Sequence, residues 1–341
     1  MELYLDSVNP EEIRTAADWG ILTGVTTTPT FMHRHGITNV DGAIVDLSHH
    51  VQLLHIEALG NTAADIVAEA DRQLKLPLAE SCTPVFKIPV SNEGIKACRI
   101  LTDRGLLVNV HLVYTLNQAY MAMNAGATYI CPLAGRMHDQ GLDAFALYED
   151  CVDAIDRYGY DSKVMVSSVR HAEHVRLAIR AGAHAVTAPW NVMRALCSNV
   201  LTDVGTSQFE EHTRLMTQTV GSILGAKNPQ VSIGATLQDA LVQMTESGVG
   251  AVAVLDGETL KGIFTDGDIR RQLKEKGKAI LDARMSDFSY STPITVQLNA
   301  LLNDAVAHFN THKVDNLLVL DGEKTVGILD IQDFVREGLI G

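Results

Sequence analysis

The N-terminal two thirds of the chain alternate short β-rich runs with helical stretches, eight times over, and few folds accommodate that rhythm. The strand-like runs are LYLD (3–6), GVTTT (24–28), LLHIEA (53–58), PVFKIP (84–89), LLVNVHL (106–112), YICPL (129–133), KVMVSSV (163–169) and AVTAP (185–189). Helical patterns separate them, including 92–104, 116–126 and 170–182, and glycines at 105, 126 and 182 close these helices. Strands alternating with helices predict a parallel sheet, and eight is the number that closes a (β/α)8 TIM barrel. A doubly wound open sheet is the alternative. No G-x-G-x-x-G follows the first strand to support it.

Near 225–231 the rhythm changes to an internal repeat. VLDGETLKGIFTDGDIRR (254–271) matches VLDGEKTVGILDIQDFVR (319–336) without gaps, each copy preceded by a helical pattern. Each unit reads helix, strand, turn, strand, helix, and two such units suit one face-to-face module. The expected organisation is therefore a barrel over 1–224, a linker at 225–230, and two small units at about 231–285 and 286–341.

Composition narrows the function. The 341 residues carry a net charge of −14 with no basic stretch, which argues against nucleic-acid binding. Five widely spaced cysteines without a Cys-x-x-Cys fit a reducing cytoplasm. The start MELYLDS has no signal-peptide character, and no run of eighteen apolar residues suggests a membrane span. His33, His35, His49, His50 and His55 are numerous enough to suggest a metal, but their spacing suits no standard site, so none is expected.

Polar residues within the apolar strands are the candidates for chemistry, because strand residues two apart share a face. Asp6 ends the first strand. Thr26 and Thr28 share a face of the second, Glu57 lies near the end of the third, and Lys87 sits mid-run in the fourth. Asn109 and His111 share a face of the fifth. Ser168 reads as following Val164 and Val166 on one face of the seventh, with Arg170 continuing it. A lysine among apolar neighbours can attack a carbonyl once deprotonated, and the resulting iminium is an electron sink for cleaving the adjacent carbon–carbon bond. Asp6 and Glu57 are candidate proton carriers. Arg136 and Arg170 suit a phosphate.

At these residues the chain resembles the transaldolase family, specifically the short-chain branch that includes fructose-6-phosphate aldolase. The matching stretches are LYLDS, GVTTTPT, VFKIPVSNEGIKAC, NVHLVYTLNQA, AGATYICPLAGRMHDQG and VMVSSVRHAEHVRLAIRAGAHAVTAP, spread over roughly 1–220. The resemblance implies a class I aldolase barrel, needing no cofactor for catalysis and assembling as a homo-oligomer. It implies Lys87 as the Schiff-base lysine, Asp6 as the acid/base aspartate, and Glu57 as the glutamate that binds a catalytic water in true transaldolases. The aldolase branch carries glutamine there. Thr26, Asn109, Arg136, Ser168 and Arg170 match substrate- or phosphate-holding positions. Three pocket positions depart: Thr28 replaces an asparagine, His111 a threonine that holds water, and Leu133 an aromatic residue. The implied activity is transfer of a dihydroxyacetone-type unit between sugar phosphates, with an unusual substrate. The alternatives are an aldolase releasing a free ketone, or a catalytically degenerate barrel serving as nucleotide sensor or assembly protein.

The C-terminal repeat resembles a tandem CBS-domain pair. Gly262, Thr265 and Asp268 fit its G-h-x-[ST]-x-x-D pattern, where Thr meets phosphate and Asp the ribose hydroxyls. The second copy keeps Gly327 and Asp333 but has Asp330 in place of Thr or Ser. One competent nucleotide site or none is expected, for an adenine or other nucleotide, or a nucleotide-sugar, as effector.

Overall fold

The computed structural model describes residues 1–339. It divides into compact units of Met1–Ser198 and Asn199 onward. In the first unit all eight expected strands form: β1 (Glu2–Asp6), β2 (Gly24–Thr26), β3 (Leu53–Glu57), β4 (Thr83–Pro89), β5 (Leu107–Val113), β6 (Tyr129–Pro132), β7 (Lys163–Val166) and β8 (Ala185–Ala188). They pair in parallel in chain order, and β8 returns to β1, closing the barrel.

The strands are apolar on both faces because both are covered. Tyr4, Val85, Tyr129, Cys131, Met165 and Ala185 point inward and fill the barrel. Leu54, Ile56, Phe86, Ile88, Val108, Val110, Val164 and Val166 point outward and pack under the helices. The connecting helices start and stop as their sequences direct. Ser91 caps Asn92–Asp103 by accepting the Gly94 amide at 2.9 Å, and Thr115 caps Leu116–Asn124 likewise. Gly105, Gly126 and Gly182 turn the chain into the next strand with φ of 78°, 81° and 70°.

The second unit holds two three-stranded sheets. One contains β9 (Gln230–Ser232), β10 (Ala251–Asp256) and β11 (Thr259–Thr265); the other contains β12 (Thr295–Gln297), β13 (Asn316–Asp321) and β14 (Lys324–Asp330). The antiparallel hairpins β10–β11 and β13–β14 are the repeated motif. Ala251, Ala253 and Ile263 of one sheet pack against Leu318 and Ile328 of the other, as the face-to-face module requires. The short leading strands β9 and β12 were not foreseen, since three residues carry no alternation to read. The helix Val200–Thr217 and the following turn group with this unit, not with the barrel, which the sequence reading extended to 224. Leu215 and Val220 enter a core with Leu302, Phe309 and Phe334 of the second repeat. Among the described residues no helix is long and apolar enough to cross a membrane.

Candidate active site

The C-terminal ends of the barrel strands surround a cavity of about 520 Å³. Asp6, Thr26, Thr28, Glu57, Lys87, Asn109, His111, Arg136, Ser168 and Arg170 all line it, so the ten barrel candidates converge from seven separate segments. This is the end of the barrel at which such folds carry their chemistry.

Lys87 is 5% exposed at the centre of β4. Its Nζ donates to the Thr27 carbonyl at 2.8 Å and lies 3.3 Å from Glu57 Oε2. Register explains the pairing, since Glu57 and Lys87 are direct neighbours across β3 and β4. The other Glu57 oxygen, Oε1, meets His111 Nε2. Burial pushes the Glu57 carboxyl up, but Lys87 and His111 outweigh it and hold the group below its ordinary range. Burial moves His111 downward, with Lys87 and Arg136 adding to that and Glu57 opposing it, and the net direction is down.

Across the cavity, Asp6 Oδ1 accepts the Thr26 hydroxyl at 2.9 Å, and Thr26 Oγ1 is 2.6 Å from Thr187 Oγ1. Burial raises the Asp6 carboxyl above its usual value, against the pull of Lys87 and the Thr26 hydrogen bond. The two carboxylates beside one lysine are thus driven apart, Asp6 toward holding a proton and Glu57 toward losing it.

Beneath this layer His55, fully buried, faces Asn109, whose Nδ2 lies 3.0 Å from His55 Nδ1. His55 also meets the Tyr4 ring edge-on with centroids 4.9 Å apart. Burial, then Lys87, holds its imidazole well below the ordinary range. Asn109 Oδ1 is buried with no hydrogen-bond partner among the described residues, which leaves an acceptor for a ligand hydroxyl. The five early histidines do not converge: His33, His35 and His49 are exposed while His55 is inside the barrel.

The β7 reading needs correction. Val164 and Val166 face the helices, and the inward set is Met165 and Ser167. Ser168 reaches the cavity by leaving the strand in a left-handed conformation, φ 55°, rather than by strand alternation. Leu112 does the same at a bulge in β5, φ 58°, just after His111. Two strained non-glycine residues therefore border one cavity, a placement that accompanies functional sites. Gly135 lets the first turn of the helix Ala134–Asp139 lie against this bend, because a Cβ there would come 2.4 Å from the Ser168 carbonyl oxygen. Thr28 is oriented by capping the next helix, accepting the Phe31 amide at 3.2 Å.

At the rim, Arg170 forms a two-pronged pair with Asp139, with Nη1–Oδ1 at 2.6 Å. Arg34 also lines the cavity with Arg136. Sequence reasoning passed over Arg34, Ser167 and Thr187; strand parity with Met165 and Ala185 pointed to Ser167 and Thr187, and no sequence signal pointed to Arg34.

In the second unit, Thr265 and Asp268 cap the helix Asp266–Lys276. Asp268 Oδ2 accepts the Thr265 amide at 2.9 Å and its hydroxyl at 2.7 Å. In the second copy Asp333 Oδ2 accepts the Asp330 amide at 2.9 Å, and Asp330 Oδ1 accepts the Gln332 amide at 2.8 Å. Burial, and then neighbouring Asp333, push the Asp330 carboxyl up, with Asp315 adding to the crowding.

The fold and this site define a closed (β/α)8 barrel carrying a lysine, two carboxylates and an arginine-lined rim at its strand ends, followed by a paired small-sheet module. Comparison with known proteins identifies both parts. Residues 3–236 match the family described as Transaldolase/Fructose-6-phosphate aldolase, and 220–275 and 285–339 match the CBS domain. The chain belongs to the transaldolase/fructose-6-phosphate aldolase family and carries two CBS domains. A protein of Coprothermobacter proteolyticus named "Probable transaldolase" is 40% identical over 210 residues, spanning 61% of this chain and 94% of that protein. One of the same name from Desulforudis audaxviator is 39% identical over 211 residues, spanning 61% and 95%. Among solved structures, a CBS domain protein from Pyrobaculum aerophilum complexed with AMP is 19% identical, with a TM-score of 0.31, over 34% of this chain and 89% of that one.

Proposed function

We propose that the chain is a transaldolase-like enzyme that transfers a dihydroxyacetone-type unit between sugar phosphates through a Schiff base on Lys87. The observation that carries this reading is the position of Lys87 Nζ, 3.3 Å from Glu57 in a cavity that also presents Asp6. The neutral amine adds to the donor ketone, and loss of water gives the iminium. Asp6 takes the proton from the hydroxyl next to the bond that breaks. The aldehyde leaves, and the retained enamine adds to an acceptor aldehyde. Arg136 and Arg170, with Ser168, hold the phosphate at the rim. Asn109 Oδ1 accepts a donor hydroxyl.

Glu57 supports transfer over ketone release, because the family resemblance implies a water-binding glutamate at this position in transaldolases and a glutamine in the aldolase branch. Thr28, His111 and Leu133 give the wall a different shape and hydrogen-bonding set, which supports a donor or acceptor other than the ordinary ones. The CBS pair is proposed to bind an adenine or related nucleotide through Thr265 and Asp268. The carboxylate crowding at Asp330 and Asp333 disfavours a phosphate in the second copy. Cytoplasmic location and homo-oligomeric assembly complete the proposal.

The test is product analysis with a panel of ketose phosphates as donors and aldose phosphates as acceptors. Acceptor-dependent consumption of donor supports transfer. Acceptor-independent release of dihydroxyacetone contradicts it in favour of the lyase. Fast turnover of fructose 6-phosphate with erythrose 4-phosphate would overturn the unusual substrate.

A further inference from the structure

Glu57 is not free to meet substrate alone, because each of its oxygens faces a nitrogen. Oε2 lies 3.3 Å from Lys87 Nζ, and Oε1 meets His111 Nε2. Lys87, Glu57 and His111 therefore form one chain across β3, β4 and β5, ending in an imidazole that lines the cavity. The β5 bulge at Leu112 directly follows His111, and pairing with β6 resumes at Val113. We propose that His111 is a catalytic proton carrier for imine formation and hydrolysis, linked to Lys87 through Glu57. This rests on the Lys87 Schiff-base reading and goes beyond a substrate-holding role for His111.

The Lys87 ammonium gives a proton to Glu57, which passes one to His111, leaving a neutral amine and an imidazolium. The amine forms the C–N bond with the ketone carbon while the C=O π pair moves to oxygen. A proton shifts from nitrogen to that oxygen, giving the carbinolamine. The imidazolium then donates its proton to the carbinolamine hydroxyl, the C–O bond breaks, and water leaves as the C=N bond of the iminium forms. Hydrolysis runs the same steps in reverse, with neutral His111 taking the proton of the attacking water.

The surroundings suit this cycle. His111 is 9% exposed, and the groups facing it are Glu57 on β3, Lys87 on β4, Cys131 on β6 and Arg136 beyond β6. Cys131 stays a thiol, since burial pushes it up to about 11. Burial and the nearby cations keep the imidazole neutral at rest, and Glu57 stabilises the charged form when it appears.

The experiment measures the rate of adduct formation on Lys87 with dihydroxyacetone under cyanoborohydride, by intact mass, from pH 5 to 9. An unphosphorylated probe avoids phosphate titration near pH 6. The wild type should lose rate on the acid side. His111→Gln should form the same adduct about 10²-fold more slowly or worse, without that acid limb. His111→Ala should regain rate with added imidazole, in proportion to its free base. If His111→Ala does not fold, His111→Gln, which keeps bulk and polarity, decides. An unchanged rate and pH profile in His111→Gln overturns the inference and leaves the Lys87 reading standing. Folded His111→Ala without imidazole rescue overturns it as well. No adduct in the wild type overturns both.

Discussion

Lys87 and Glu57 stand opposite each other on adjacent strands, in register, with Nζ 3.3 Å from Oε2 and both side chains largely buried. A buried carboxylate that loses its cation is costly. Lys87→Met should therefore lower barrel stability by about 1–3 kcal/mol, besides abolishing turnover. Adding Glu57→Gln should return part of that stability. Thermal unfolding of the single and double variants checks the expectation. Additive losses would mean that the two groups do not interact.

Asp6 separates chemistry from capture. It lies across the cavity from Glu57, hydrogen-bonded to Thr26. Asp6→Asn should still form the Lys87 adduct while turnover falls about 10²- to 10⁴-fold. Parallel trapping and steady-state assays distinguish this from a general collapse of the site, in which both fall together.

The rim arginines should matter only to phosphorylated substrates. A charge-assisted contact contributes about 1.5–3 kcal/mol, so Arg136→Ala should raise KM for a ketose phosphate by roughly 10- to 100-fold. Its effect on unphosphorylated dihydroxyacetone should be small. Equal losses on both would place Arg136 in the structure of the cavity instead.

Stability should fall as pH drops below neutrality. His55 is held well below its ordinary value near 6.5 by burial and Lys87, and His174 is lowered to about 4 by burial, His171 and His138. Between the folded and unfolded pKa the unfolded chain binds more protons. The stabilisation is thus fully present above about 6.5 and is lost as pH falls through this window, at up to about 1.4 kcal/mol per pH unit per histidine. Glu57 adds a loss of the same sign below its unfolded value of 4.5, and Asp6, raised above 3.8, acts oppositely. Unfolding midpoints from pH 7.5 to 5 should show the decline, with a shallower slope in His55→Gln. A flat profile contradicts this.

Nucleotide binding should be asymmetric within the CBS pair. An adenine nucleotide should raise the unfolding midpoint of the second unit, and Asp268→Ala should abolish the shift. Asp333→Ala should leave it nearly unchanged, because the second copy carries Asp330 where the first has Thr265. Asp268→Ala also loses a helix cap, at about 1 kcal/mol without ligand. Equal sensitivity at both positions would contradict the asymmetry.

The barrel was legible because its strands are short apolar runs closed by glycine-ended helices, and every run but the seventh forms within a residue or two of expectation; β7 stops at Val166, three residues short of the expected end. The convergence of Asp6, Glu57, Lys87 and Asn109 followed from strand parity alone. Parity failed at β7, where Ser168 enters the cavity through a backbone bend that no alternation encodes. It was silent on the His55–Asn109 contact and the Glu57–His111 contact, which depend on inter-strand register. Thr265 and Asp268 read as ligand groups, whereas in the free chain their polar atoms cap a helix; spacing of three residues serves either purpose. Arg34 sits on a helix whose approach to the cavity is a tertiary fact.

The central claim is a covalent intermediate on Lys87, and borohydride trapping tests it most directly. The protein is incubated separately with fructose 6-phosphate, a panel of other ketose phosphates and dihydroxyacetone, then reduced, weighed intact and digested. The account predicts a single adduct on the peptide carrying Lys87, absent in Lys87→Met, from at least one donor. Folded wild-type protein that gives no adduct with any donor, or an adduct on another lysine, would contradict it.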